Sequence, residues 1–223
     1  MMKESLKLQK QRMSKILDIL SKEYPDVKIQ LDFGSPFQLL IATILSAQCT
    51  DARVNQVTKN LFKKYEYIED YIKVPQEELE KDIFSTGFYK SKAEKIQKTT
   101  KMILEQFGGE VPSTMEELLK LPGVGRKTAN VLLGHIFNTP GIVVDTHVLR
   151  ITKRLGFVDT DNAEKVEFKL MELIPKEQWV IFTHYFINHG RKVCTARKPK
   201  CNDCKIFEYC KFEQKGKREI NTE

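Results

Sequence analysis

Long apolar runs are missing from this sequence. No stretch approaches the roughly 18 consecutive apolar residues of a membrane span, and the opening MMKESLKLQKQRM has no apolar signal region. A cytoplasmic protein is therefore expected. β-forming runs are scarce as well: segments such as GIVV at 141–144 are too short and too scattered to build a sheet, so the expected class is all-α. Tandem repeats and low-complexity linkers are absent, which removes solenoids and tethered arrays. Cysteine is nearly absent outside one cluster, with Cys49 alone and four others between Cys194 and Cys210. In a reducing compartment that distribution suggests a metal centre rather than disulfides.

What is present is a chain of 223 residues, 41% apolar, enough for one large domain or two modest lobes. Its 37 Lys and Arg against 30 Asp and Glu give a net charge of +7 and a pI near 9.0. Such a balance favours an anionic partner without identifying it. Helical periodicity runs nearly throughout. Leu6, Met13, Ile16, Leu17 and Leu20 trace one stripe of a helix that ends at Pro25. Further helices are expected at 36–47, 52–65, 76–84, 89–107, 114–120, 126–137, 146–155, 162–173 and 176–189. Ser113 and Glu116 offer a capping box, Asp145 an N-cap, Asp51 a second cap, and Gly108–Gly109 a helix stop. The polar tail from Phe212 onward is expected to fray.

The segment KLPGVGRKTANVLL, from Lys120 to Leu133, carries the main chemical signal. It is no phosphate-binding P-loop, because Arg126 replaces the glycine before the lysine and a helix, not a strand, precedes it. DFG at 32–34 likewise has no glycine-rich loop or H-R-D partner, so it says nothing about kinases. Two short helices joined by LPGVG make a different device. Gly123 and Gly125 let an anion approach the N–H groups that open the second helix, with Val124 between them.

With LLKLPGVGRKTANVLL, the segments LLIATILSAQCTD, STGFYKSKA, VDTHVLR and HGRKVCTARKPKC follow in order. Together they resemble the endonuclease III family of helix-hairpin-helix DNA glycosylases over nearly the whole chain. The resemblance implies a helical barrel over 29–138 with its hairpin at 114–137, and a second lobe built from 1–28 plus 139–223. It implies a base-excision repair enzyme that removes oxidised pyrimidines from duplex DNA and nicks the abasic site by β-elimination. DNA is then the partner, reached in the nucleoid without any membrane, and the chain acts as a monomer.

Residue roles follow in the same terms. The family's catalytic lysine maps onto Lys127 and its catalytic aspartate onto Asp145. A lysine that attacks a sugar carbon must first lose its proton, and the first turn of a helix beside Arg126 disfavours a second cation. Read by position alone, Lys127 pairs with a phosphate and Asp145 caps a helix; the aspartate can also stabilise oxocarbenium character at C1′. Gln48 and Phe88 are nominated to fill the gap left by an extruded base.

Cys194, Cys201, Cys204 and Cys210 form C-x6-C-x2-C-x5-C, which suits tetrahedral zinc or an iron–sulfur cube; the resemblance implies a [4Fe-4S] cluster. Arg191, Arg197, Lys198 and Lys200, with Lys192 and no acid among them, make the same stretch either a solvated charged loop or one that meets a phosphate backbone, the reading favoured here. Cys49, His135, His184, His189 and Trp179 read as packing residues, and His147 as a partner of DNA or of Asp145. Two rivals remain from sequence: a helix-hairpin-helix glycosylase for mismatched adenine or thymine, and a non-catalytic DNA-binding module. The adenine-specific branch lacks a lysine at the position of Lys127.

Overall fold

The computed structural model describes residues 4–213. Among them are eleven α-helices and no strand: α1 (Leu6–Glu23), α2 (Pro36–Leu45), α3 (Asp51–Lys64), α4 (Asp70–Lys73), α5 (Gln76–Ile83), α6 (Tyr89–Gln106), α7 (Met115–Leu118), α8 (Arg126–His135), α9 (Thr146–Arg154), α10 (Ala163–Leu173) and α11 (Trp179–Lys192). The chain divides into two compact units, Ile29–Thr139 and a unit from both ends, Met1–Lys28 with Pro140–Glu223.

In the first unit α2 is apolar on every side, and Leu39, Leu40, Ile41, Ala42 and Leu45 have no solvent exposure. A helix of that kind belongs at the centre of a core rather than on its surface. Ser35 starts it by accepting the Gln38 N–H, and Pro36 occupies the first turn, where a missing N–H costs nothing. α6 and α8 pack on it, contributing Ala93, Ile96, Ile103, Ala129 and Leu132 to the same core. Cys49 is half-buried against that cluster, as a small hydrophobe would be.

In the second unit α1 buries Met13, Ile16, Leu17 and Leu20 against α10 and α11, while Leu6, at the start of the stripe, is 45% exposed. α9 and α11 approach closely at Gly190, where an added Cβ would lie 2.6 Å from His147 Nδ1. Arg12 is the polar fastener of this unit. It donates to the carbonyls of Leu155 and Tyr209, pairs with Glu4 at 2.9 Å and stacks on the Phe157 ring at 3.9 Å. Arg12→Ala strands two carbonyls and leaves Glu4 to Lys211 alone, so a loss of about 2 kcal/mol in denaturant stability is expected. Hydrogen bonding from Arg12 holds the Glu4 carboxyl down at about 2, against an ordinary 4.5. This contribution is complete above pH 4.5 and fades as pH falls through 2.

Several local expectations shift by a residue. The capping box is Thr114–Glu117 rather than Ser113–Glu116, with Thr114 accepting the Glu117 N–H and bonding its carboxylate at 2.7 Å. STMEE permits both registers, and the chain takes the second. Thr50, not Asp51, caps α3; Asp51 is its first residue. The final helix opens with a 3-10 turn at Lys176–Gln178 and continues to Lys192. The four-residue α4 is too short for periodicity to show. The tail, from residue 214, lies outside the described residues.

Candidate active site

The hairpin in the first unit is α7, a turn at 119–125, and α8. Gly123 has φ +82°, and a Cβ there would stand 3.1 Å from the stem of Lys95. Thr99, on α6, donates its hydroxyl to the Pro122 carbonyl and fixes the turn from below. Val124 is buried, so only its backbone can face a ligand, whereas both glycines are exposed. Gly125 caps α8 without a side chain, and no atom lies within 4 Å of where its Cβ would be. The first-turn N–H groups of α8 are thus left to an external acceptor.

Lys127 stands in that first turn, exposed. Several lysines of the molecule are engaged, among them Lys64 with Glu78 and Asp82, Lys98 with Glu94, and Lys153 with Asp161. The side chain of Lys127 forms no hydrogen bond or ion pair with the described residues. Gly123→Ala is expected to lower stability by about 1–2 kcal/mol through its left-handed backbone and to weaken duplex binding, read by thermal melting and by titration with labelled DNA.

Gln48 and Phe88 belong to this unit too. Phe88 is 66% exposed, which excludes a core role, and Gln48 is exposed three residues beyond α2. Both have left-handed backbones, with φ of +53° and +49°. Together with Gly123 and Lys92 they line one pocket.

The remaining predicted site residues lie in the second unit. Asp145 is half-buried and caps α9, accepting the N–H of His147 at 2.9 Å and of Val148 at 2.8 Å. Both bonds fall on Oδ1, and Oδ2 accepts none from the described residues. His147 meets Asp145 through its backbone, not its ring. Its Nδ1 accepts from Arg150 at 3.1 Å, and burial, opposed by Asp145, holds its pKa below the usual histidine range.

α9 also carries two residues that sequence reasoning missed. Arg150 donates to the carbonyls of Gly190 and Cys194. Arg154 reaches Cys194 Sγ at 3.2 Å and the carbonyls of Thr195 and Ala196. Their i, i+4 spacing on one helix face was the available signal. One helix therefore runs from the carboxylate to the cysteine loop.

Cys194, Cys201, Cys204 and Cys210 ring a single pocket closed by Val193, Phe207 and Phe212. Among the described residues no three His, Cys, Asp or Glu converge on one point as a single ion requires. Four thiols around an apolar cavity fit a polynuclear cluster, which offers each thiolate its own iron. Burial pushes the Cys204 thiol up to about 11, so iron must displace its proton. His189, buried beside it, faces Cys204 Sγ at 3.6 Å and the Tyr24 hydroxyl at 3.2 Å; burial holds its pKa at about 4. Arg191, Arg197, Lys198 and Lys200 are all exposed on or beside this loop.

Comparison with known proteins agrees with this geometry. A model of the HhH-GPD superfamily of base-excision DNA repair proteins matches residues 41–176, and one of the iron–sulfur binding domain of endonuclease III matches 194–210. Endonuclease III of Bacillus subtilis is 50% identical over 200 residues, 89% of this chain and 91% of that protein. The chain belongs to the endonuclease III family. Endonuclease III of Escherichia coli is 43% identical over 208 residues, 93% of this chain and 99% of the relative. A solved non-covalent endonuclease III–DNA complex matches with TM-score 0.88 and 51% identity over 91% of this chain and 95% of that one. A thermostable thymine-DNA glycosylase matches with TM-score 0.82 at 27% identity, over 93% and 98%. As a member of that family, the chain is a base-excision DNA glycosylase and abasic-site lyase that carries a [4Fe-4S] cluster. No described helix is long and apolar enough to cross a membrane.

Proposed function

We propose that Lys127 is the nucleophile of this enzyme, Asp145 its carboxylate partner, and oxidised pyrimidines in duplex DNA its substrates. One observation carries the reading: Lys127 presents an exposed amine without a protein partner in the first turn of α8. The neutral amine attacks C1′ of an extruded nucleotide, and the C1′–N bond breaks with its electron pair leaving on the base. The amine surrenders its proton, the sugar ring opens, and an imine forms. Loss of the C2′ proton then moves an electron pair into a C2′–C3′ double bond and expels the 3′ phosphate. That cuts the strand.

Asp145 serves through Oδ2, the oxygen not occupied by capping, by stabilising positive charge at C1′ and accepting the proton. Gln48 and Phe88 fill the vacated stack, and the backbone of Gly123, Val124 and Gly125 holds a phosphate. The cluster, held by the four cysteines, supplies a rigid anchor for the loop bearing Arg197, Lys198 and Lys200, with Arg191 beside it. A relative trapped as a covalent endonuclease III–DNA intermediate supports the covalent route.

The test is a panel of duplexes carrying thymine glycol, dihydrouracil, a uracil mismatch, an adenine mismatch or an abasic site. Base release and strand scission are scored separately. Release of the two oxidised pyrimidines with coupled scission is expected; scission-free release confined to a mismatch contradicts the reading.

A further inference from the structure

Lys92 is absent from every role described so far, although few of its properties are ordinary for a lysine. It sits in the first unit, in the first turn of α6, with 4% of its surface exposed. Its Nζ donates to the Leu45 carbonyl at 2.8 Å and to the Thr86 carbonyl at 2.9 Å. Its backbone N–H donates to the Phe88 carbonyl at 3.0 Å. Burial holds its amine below the usual lysine range, with no carboxylate beside it to repay the desolvation.

The positions of those carbonyls matter. Leu45 is the last residue of α2, three before Gln48. Thr86 ends the 3-10 turn, two before Phe88. One ammonium therefore joins the roots of two loops whose tips are Gln48 and Phe88. Each tip adopts a left-handed backbone that side chains other than glycine's resist. Strain of this kind persists only where surrounding bonds over-determine it.

We propose that Lys92 is a positioning residue that holds Gln48 and Phe88 in register as the two-sided wedge for duplex DNA. The proposal rests on the assignment of those two side chains to the vacated stack. Fixed tips enter a duplex without first being ordered, so the gain falls on extraction of a base and not on the lysine chemistry that follows.

The experiment compares base release from a thymine glycol duplex with nicking of a single-stranded abasic oligonucleotide, which has no partner strand and no gap to fill. Lys92→Met removes both side-chain bonds at similar volume, and Lys92→Gln, shorter, retains at most one. For Lys92→Met the ratio of the two activities is expected to fall by about 10²-fold, and for Lys92→Gln by less. Phe88→Ala is expected to lower duplex base release as well, and combining it with Lys92→Met is expected to cost less than the product of the separate losses. Equal loss of both activities, full additivity, or failure of both variants to fold would make Lys92 a structural cap and overturn the proposal. A Phe88→Ala enzyme with undiminished duplex activity would instead remove the wedge reading on which it rests.

Discussion

Asp145→Asn is expected to fold as the parent does and to release damaged bases roughly 10²- to 10⁴-fold more slowly. The split follows from the two oxygens of one carboxylate. Oδ1 takes the N–H groups of His147 and Val148, and asparagine caps a helix about as well as aspartate does. Stability should therefore change by only about 0.5 kcal/mol, most of it from the lost attraction between a negative charge and the start of α9. What asparagine cannot supply is the charge and the proton acceptor that the role proposed for Asp145 requires. Asp145→Ala removes cap and charge together, and should add about 1 kcal/mol of destabilisation. Single-turnover base release and a denaturant melt on the same samples check both halves. Full activity in the asparagine variant would reduce Asp145 to a cap.

Lys127→Ala is expected to abolish strand scission, by at least about 10³-fold, while leaving duplex affinity within roughly tenfold. The sharper variant is Lys127→Arg. It keeps a cation at the start of α8, so any role in pairing with phosphate survives, but guanidinium does not deprotonate and cannot form the imine. Scission should vanish in both variants, with binding close to normal in the arginine one. If the arginine variant nicks abasic DNA, the lysine is only a phosphate contact.

The helices were readable because apolar residues recur at helical spacing across most of the chain, and the hairpin because two glycines interrupt that pattern beside a lysine. The limits are equally physical. STMEE and CTDA each hold two residues able to cap, and sequence does not say which takes the N–H; Thr114 and Thr50 did. The left-handed backbones of Gln48 and Phe88 leave no compositional trace, since glycine is the usual sign and neither residue is one. Nothing local singles out Lys92, Arg150 and Arg154, yet each reaches carbonyls far away in sequence. Arg12 hid in the same way, its partners Leu155 and Tyr209 being 143 and 197 residues distant. Long-range polar contacts of this sort depend on the finished fold. Local patterns reveal the helices that carry them, not their targets.

Borohydride trapping reaches the centre of the account most directly. Wild-type enzyme is mixed with an abasic duplex and reduced during turnover, and the cross-linked product is digested and sequenced by mass. One DNA adduct per chain on the peptide containing Lys127 is predicted, and none with Lys127→Ala. An adduct on another residue, or its undiminished yield in the alanine variant, would contradict it.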